Sequence, residues 1–298
     1  MEVAPGIHRI ESDLGPRFMC QYALVGDEGT LLVDTGLAET PERAIRPYLE
    51  SIGSSLEAIA VVVITHADVD HCGGNRLLRR RKQHARFSCH ELDRRWIESN
   101  DAMLAENYCW YEAYGFGPDQ EAKAWMRDEL GGDAPMDVGL RGGETLRLSG
   151  DWRVEILHLP GHTPGHLGIW DPRSGAAVIV DAVLKDGIYD RKGNRLIPPR
   201  YYDLQAYRET IRRLTALGPD LLLTAHYPVL DAAGARAFLD RSLEFTHELG
   251  EAVREGLGRS VTDLWELTQL ADERVGPFPE FMHELGASVR AHVGAVGG

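Results

Sequence analysis

The sequence predicts an α/β fold, and three observations support that prediction. Residues 61–64 form a short, uninterrupted β-branched run, which is typical of a strand buried on both faces of a sheet. A helical pattern at 41–52 precedes this run and itself follows a strand pattern at 30–34, so the order is strand, helix, strand. Further apolar runs with a polar residue near the end recur as far as residue 226.

The remaining elements follow from the same patterns. Strands are predicted at 7–11, 18–25, 30–34, 61–64, 85–89, 144–148, 152–158, 167–171, 176–183 and 221–226. Helices are predicted at 41–52, 202–217, 232–250, 261–273 and 278–293. Thr40 is the predicted N-cap of the first helix, because Pro41 suits the first helical position. We expect a main domain over 1–230 and a helical C-terminal extension over 231–298.

Four candidate metal ligands follow the strand at 61–64. They lie within six residues and are His66, Asp68, Asp70 and His71. Gly73 and Gly74 predict a tight turn, and Asn75 predicts the cap of the next helix. We therefore expect the ligands on a loop at the carboxyl end of a strand, where α/β folds place binding groups. Imidazole and carboxylate suit borderline to hard divalent metals, although a polar turn of the same composition is the alternative interpretation.

Three later apolar runs also end near residues of this kind, which are His162, Asp181 and His226. One buried polar group at a strand end is ordinary, but four such ends with a His/Asp composition predict a dinuclear metal site. Asp34 follows the strand at 30–34. It is predicted either to end that strand in a turn or to orient a metal ligand through a hydrogen bond.

The stretch 90–137 has a different composition. It is helical in pattern, rich in large aromatic residues such as Tyr111, and poor in β-branched residues. We interpret it as a helical insertion whose aromatic residues either fill the core or cover the site as a lid. The apolar residues of 231–298 favour packing onto the body or a contact between two copies in a homodimer.

Charge and composition argue against several classes of function. The formal net charge of −14 disfavours nucleic acid or an anionic membrane surface as a partner, and the basic run at 79–82 is interpreted as a solvated helix end. No stretch approaches the roughly 18 apolar residues of a membrane span, and the N-terminus lacks a secretory signal. The four cysteines are scattered without a CxxC pair, so we expect free thiols and a cytoplasmic location.

The order of these motifs resembles that of the metallo-β-lactamase superfamily. HADVDH at 66–71 is similar to the superfamily's HxHxDH pattern, and PGHTPGH at 160–166 is present as well. VIVDAV, TAHYP and the early Asp-Thr-Gly at 34–36 complete the pattern. The resemblance implies an αββα sandwich with two divalent metal ions at one edge. It implies the following ligands: His66, Asp68 and His162 for one ion, Asp70, His71 and His226 for the other, and Asp181 as the bridge.

Asp68 stands where the superfamily usually has His. Together with Asp70, Asp181 and a bridging hydroxide it cancels the charge of two dications, which predicts a weaker Lewis acid than usual. Carboxylate is also a harder ligand than imidazole, so Asp68 is predicted to favour iron or manganese over zinc.

The activity implied is hydrolysis of an ester, thioester or lactone by a metal-bound hydroxide, with Asp70 as both ligand and proton acceptor. The substrate is expected to be a small molecule. Acyl-homoserine-lactone lactonases carry a Tyr three residues past the bridging Asp, where this chain has Leu184. Tyr189 and Tyr201 lie further along the chain and are candidates to serve instead, and Tyr111 of the aromatic insertion is the third candidate substrate-binding residue. An iron-dependent sulfur dioxygenase and a non-catalytic metal-binding sensor are the alternatives.

Overall fold

Two β-sheets packed face to face form the centre of the computed structural model, which describes residues 1–81 and 84–296. Within those ranges the strands are β1 (Glu2–Ala4), β2 (Ile7–Leu14), β3 (Arg17–Gly26), β4 (Gly29–Val33), β5 (Ile59–Ile64), β6 (Arg86–His90), β7 (Val138–Leu140), β8 (Thr145–Ser149), β9 (Trp152–His158), β10 (Leu167–Asp171), β11 (Ala176–Val178), β12 (Ile188–Tyr189), β13 (Arg195–Ile197), β14 (Leu221–Leu223) and β15 (Leu230–Asp231). The helices there are α1 (Arg46–Ser51), α2 (Val69–Cys72), α3 (Asn75–Arg81), α4 (Arg94–Glu98), α5 (Asn100–Met103), α6 (Gln120–Glu129), α7 (Leu204–Leu217), α8 (Ala232–Gly258), α9 (Leu264–Val275) and α10 (Leu285–Val296).

The strand order places several carboxyl ends at one edge of the sandwich. The first sheet has the order β1-β2-β3-β4-β5-β6-β7, with β4 to β7 parallel. The second sheet has the order β15-β14-β11-β10-β9-β8, with β11 and β14 parallel. Parallel neighbours need a crossover between them, and α1 supplies it between β4 and β5. Strands β12 and β13 form a separate hairpin.

The β-branched run at the centre of β5 is covered by apolar clusters on both faces of the sheet. Val63 faces the apolar cluster between the two sheets, which also contains Tyr22, Ile156 and Leu223. Val62 belongs to a different apolar cluster, on the outer side of the first sheet. Successive side chains of a strand point to opposite faces, so a strand covered on both sides is apolar throughout.

Helices cover the outer face of each sheet. Helix α1 and the insertion pack on the first sheet through residues such as Leu49 and Met103. Helices α7 to α10 pack on the second through residues such as Ile211, Phe245 and Val289. The layers are therefore helix, sheet, sheet and helix, which confirms the predicted αββα architecture.

A row of aromatic rings joins the insertion to the C-terminal helices. The ring of Trp110 stacks on Tyr111 with centroids 4.0 Å apart, and Tyr111 contacts Phe116 at 5.5 Å. Phe116 in turn stacks on Trp265 of α9 at 4.7 Å. These insertion aromatics thus act mainly as packing between two segments.

Within the described ranges, no helix combines the length and apolar character needed to cross a membrane.

Two local predictions need correction, and a third is confirmed. Thr40 already has helical dihedral angles and makes no side-chain cap, because a π-helical turn begins at Pro41. The turn predicted at Gly73 and Gly74 is confirmed, and Gly73 is required there because a Cβ would overlap the Glu129 carbonyl oxygen. The strand predicted at 176–183 ends at Val178. Of the basic run, Arg79 to Arg81 end α3 and Lys82 lies outside the described residues.

Candidate metal centre

The predicted ligands meet at the edge of the sandwich where strands end. Asp34 follows β4, His66 and Asp68 follow β5, His162 follows β9, Asp181 follows β11, and His226 follows β14. Asp70 and His71 lie on α2, a single helical turn where the sequence predicted a loop. All of these side chains are at least mostly buried, so their polar atoms need partners within the protein or a bound ion.

The first group of converging ligand atoms comprises His66, Asp68 and His162. Asp68 Oδ2 lies 3.2 Å from His66 Nε2 and 3.0 Å from His162 Nε2. Ligands at about 2.0–2.2 Å from a tetrahedral metal lie about 3.3 Å from one another. The group therefore has nearly the spacing of a metal coordination shell.

The second group comprises Asp70, His71 and His226. Asp70 Oδ2 lies 3.4 Å from His226 Nε2 and 3.9 Å from His71 Nε2. Asp181 is adjacent, with Oδ2 at 3.2 Å from His226 Nε2 and 3.4 Å from His71 Nε2. Asp181 also shares a compact set with His66 and His71, in which the three ligand atoms lie within 4.8 Å of one another. It thus stands between the two groups.

The orientation of the imidazole rings fits a bound cation. His162 Nδ1 lies 2.7 Å from the Arg200 carbonyl oxygen, and His226 Nδ1 lies 2.9 Å from that of Phe18. A carbonyl only accepts, so Nδ1 carries a proton in both rings and Nε2 is the nitrogen that is directed at the carboxylates. For His162 the facing atom is Asp68 Oδ2 at 3.0 Å. Nε2 is therefore the nitrogen in position to bind a metal ion, while the bond at Nδ1 fixes the ring.

Two buried polar atoms support the same interpretation. His71 Nε2 and Asp181 Oδ1 make no hydrogen bond within the described residues. Burial disfavours a charged His71, but the carboxylates of Asp70, Asp181 and Asp34 outweigh it and raise its pKa well above the ordinary value. The cluster therefore attracts positive charge, and a His/Asp donor set of this kind fits divalent ions.

Asp34 fixes ligands of both groups from behind. Its Oδ2 accepts a hydrogen bond from His71 Nδ1 at 2.8 Å, and its Oδ1 accepts one from the Thr65 backbone N–H at 2.7 Å. The Thr65 hydroxyl lies 2.8 Å from Asp34 Oδ2 and 3.0 Å from His66 Nδ1. Asp34 has a φ of 64°, a left-handed conformation that Asp tolerates better than most residues. This position suits the predicted orienting role.

Asp68 has a partner that the sequence did not reveal. The Arg200 guanidinium contacts both Asp68 oxygens, and both side chains are almost fully buried. Tyr108 Oη donates to Asp68 Oδ1 at 2.9 Å, and Asn107 Nδ2 donates to the same oxygen at 3.2 Å. Burial opposes ionisation of Asp68, but Arg200 and His162 hold its pKa well below the usual range. Asp68 is therefore a carboxylate with a permanent counter-charge.

Asp93 holds the loop that carries His162. The backbone N–H of Gly165 donates to Asp93 Oδ1 at 2.7 Å, and the Thr163 hydroxyl donates to Oδ2. Burial raises the pKa of Asp93 to about 6 despite these hydrogen bonds. His166, at the end of the same loop, stacks on His66 with ring centroids 4.6 Å apart.

A cleft opens over the ligands. Asp68, Asp70, His162, Asp181 and His226 form its polar floor. Its walls are mostly apolar and include Leu14, Trp125, Leu184, Ile188, Ile197 and Phe281. Charged side chains on the walls are those of Arg17, Arg200 and Glu284. The cleft thus combines an apolar surface with a few convergent polar groups, as small-molecule sites do.

The three tyrosines predicted to bind substrate lie away from the wall of this cleft. Tyr201 is fully buried, and its hydroxyl lies 2.9 Å from His292 Nε2 in the core. Tyr111 is fully buried in the aromatic row, and the hydroxyl of Tyr189 donates to Asp186 at 2.8 Å. None of the three is among the residues that line the cleft, and their role in substrate binding stays a prediction.

Residues 15–226, which include all of the candidate ligands, match the family described as "Metallo-beta-lactamase superfamily". The chain belongs to the metallo-beta-lactamase superfamily.

Curated and solved members of the superfamily extend this result. The chain is 29% identical over 207 residues to hydroxyacylglutathione hydrolase GloC of Haemophilus influenzae, covering 69% of this chain and 83% of that protein. It is 22% identical over 275 residues to the probable metallo-hydrolase YqjP of Bacillus subtilis, covering 83% and 78%. A metallo-beta-lactamase family protein from Thermus thermophilus has the same fold, with a TM-score of 0.73, 21% identity and coverage of 99% and 94%. The chain is accordingly a metallo-hydrolase by family.

Sequence reasoning about this superfamily member missed two residues, for different reasons. Arg200 is the lone cation in the stretch LIPPRYY, but no spacing rule connects it to Asp68, which lies 132 positions earlier. Asp93 follows a strand end, as the ligands do, and that signal was available. Its role could not be predicted, because its partners Thr163 and Gly165 come from a segment about 70 positions later in the chain.

Proposed function

We propose that the chain is a dinuclear metal-dependent hydrolase that acts on an ester, thioester or lactone of small size. The observation that carries the proposal is the pair of His/Asp groups on the floor of one largely apolar cleft. The relative from Haemophilus influenzae is named a hydroxyacylglutathione hydrolase, and an acylglutathione is a thioester.

The proposed ligand sets are the two groups described above, with Asp181 between them. Bound divalent ions would lower the pKa of water and polarise the acyl carbonyl oxygen. Asp70 lies on the cleft floor with part of its side chain exposed, so it is able to take a proton from the attacking water. Asp34 and Asp93 hold the ligands in place, while Leu14, Ile188 and Phe281 would contact an apolar acyl group.

A sulfur dioxygenase was suggested by the extra carboxylate at Asp68, which favours iron. The contact with Arg200 offsets the charge of Asp68 but leaves an oxygen donor, so the dioxygenase stays the second candidate. A long polyanion such as nucleic acid is disfavoured, because it would approach a protein with a net charge of −14.

The test is a panel of lactones, thioesters, aryl esters, phosphodiesters and a β-lactam, assayed on zinc-, iron- and manganese-loaded protein. We expect hydrolysis of lactones or thioesters that rises from about pH 6 toward alkaline pH, since more water is ionised there. Chelated protein is the control for metal dependence. A preference for the phosphodiester with all three metals contradicts the substrate class, and inactivity on every ester contradicts the hydrolase and favours the sensor.

A further inference from the structure

Arg200 contacts two ligands of the same proposed metal through two different parts of its structure. Its guanidinium lies against both oxygens of Asp68, and its backbone carbonyl accepts a hydrogen bond from His162 Nδ1 at 2.7 Å. Arg200 is only 2% exposed and Asp68 only 6%. In so buried a place, an unpaired charge of either sign is strongly unfavourable.

Other charges around Arg200 are weaker partners than Asp68. Glu284 Oε1 lies 3.5 Å from Arg200 Nη1, at the limit of a hydrogen bond. The rings of Tyr108 and Tyr202 lie 5.2 Å and 5.7 Å from the guanidinium carbon and are neutral. The charge of Arg200 is therefore directed mainly at Asp68.

We propose that Arg200 compensates Asp68, so that the pair serves as an electrically neutral ligand at the position where the superfamily usually has His. The inference rests on the metal centre of the proposed function. An Asp alone would add one negative charge relative to a neutral imidazole, and the guanidinium removes it. The charge cancellation predicted from the sequence is thus incomplete, because it omits Arg200.

This compensation has consequences of opposite sign for the two single substitutions. Asp68→His leaves a buried guanidinium beside a dication, which should weaken metal binding at the first group. Arg200→Met leaves an uncompensated carboxylate, which should strengthen binding there and favour harder ions. Combining Asp68→His with Arg200→Met restores a neutral ligand. The backbone contact with His162 survives in all of these variants.

The experiment measures bound zinc per chain by mass spectrometry and zinc affinity by competition with a chromophoric chelator. We expect Asp68→His to bind the more weakly held of its zinc ions at least about tenfold less tightly than wild type. The double variant should return to within about threefold of the wild-type affinity for that ion. Arg200→Met should shift competition between manganese and zinc toward manganese by about tenfold. Arg208→Met is the matched control, since Arg208 contacts Thr246 away from the cleft.

Two outcomes overturn the inference: wild-type zinc affinity in Asp68→His, or no recovery in the double variant. If Arg200→Met does not fold, Arg200→Lys and Arg200→Gln replace it, with only Lys expected to keep the wild-type metal preference. Failure of the proposed function is distinguishable, because wild-type protein would then bind no metal or hydrolyse no ester. If the wild type binds metal and is active but the double variant does not recover zinc affinity, only the compensation is contradicted.

Discussion

Asp181 is the residue on which both ligand groups depend. It lies within 3.4 Å of the ligand nitrogens of His71 and His226 and shares a compact set with His66. We expect Asp181→Asn to reduce bound metal from about two ions per chain and to lower kcat/KM by more than 100-fold, beyond the 10–100-fold typical of groups behind a ligand. Metal analysis and turnover on the same preparation check this. Full occupancy with normal turnover contradicts the assignment.

Asp34 acts through its hydrogen bonds and should show a smaller effect. Asp34→Asn keeps the size of the side chain and tolerates the left-handed backbone, but it weakens the acceptor for His71 Nδ1. We expect metal affinity to fall about 10–100-fold without loss of stoichiometry at saturating metal. Chelator competition measures this. An unchanged affinity would mean that Asp34 only ends the strand.

Individual residues were predictable to the extent that local sequence determines them. His66, Asp68, Asp70 and His71 are neighbours in the chain, so their proximity required no knowledge of the fold. The partner of Asp68 was not predictable, because Arg200 comes from a distant segment. The electrical environment of a ligand is a tertiary property, so the charge count made from the sequence omitted Arg200.

At the scale of elements, the β2–β3 hairpin brings an under-neutralised cation to the cleft. Arg17 lines the cleft and is 9% exposed. Its Nε has no hydrogen-bond partner within the described residues, and the carboxylate of Glu280 lies 3.7 Å from that nitrogen. We predict that Arg17→Gln raises KM about tenfold for a substrate with a carboxylate and leaves KM for a neutral ester unchanged. Steady-state kinetics on matched substrates check this, with Arg191→Gln as control. Equal effects on both substrates would indicate a structural role.

Helix α10 carries a histidine that should make its packing sensitive to acid. Burial, followed by the nearby Arg208, lowers the pKa of His292 to about 3, against an ordinary value of 6.5. Between those values the unfolded chain binds more protons than the folded one, so stability falls as pH falls, by at most about 1.4 kcal/mol per pH unit. His292→Gln should flatten this slope in denaturation measured from pH 6.5 to 4, whereas His247→Gln should not. An unaltered slope in His292→Gln contradicts the prediction.

Element boundaries were predictable where apolar runs are long and were wrong where the backbone bends. The apolar run at 176–183 continues past the end of β11, but Val180 has a φ of 41°, which an extended strand does not permit. Edge strands such as Glu2–Ala4 and Val138–Leu140 are too short to show an alternating pattern. Pattern arguments detect the buried centre of a sheet better than its edges.

At the scale of the whole molecule, the C-terminal helices share one apolar core with the second sheet. Phe238, Phe245 and Leu249 of α8 lie in the same cluster as Ile211 and Leu222. Each large buried side chain contributes about 1.5–3 kcal/mol, so losing several exceeds a typical stability of about 5–15 kcal/mol. We predict that a chain ending at residue 230 lacks a cooperative thermal transition. A cooperative transition near that of the full chain would instead make 1–230 an independent domain.

The aromatic row between the insertion and α9 limits how this protein can be re-engineered. Trp125 of the insertion and Phe281 of the C-terminal segment line the same cleft. The stack of Phe116 on Trp265 packs the two segments against each other. A chimera that imports 90–137 from a homologue would set foreign side chains against Trp265. Substrate range should therefore be transferable only when both segments are exchanged as a matched pair, although they lie far apart in the gene.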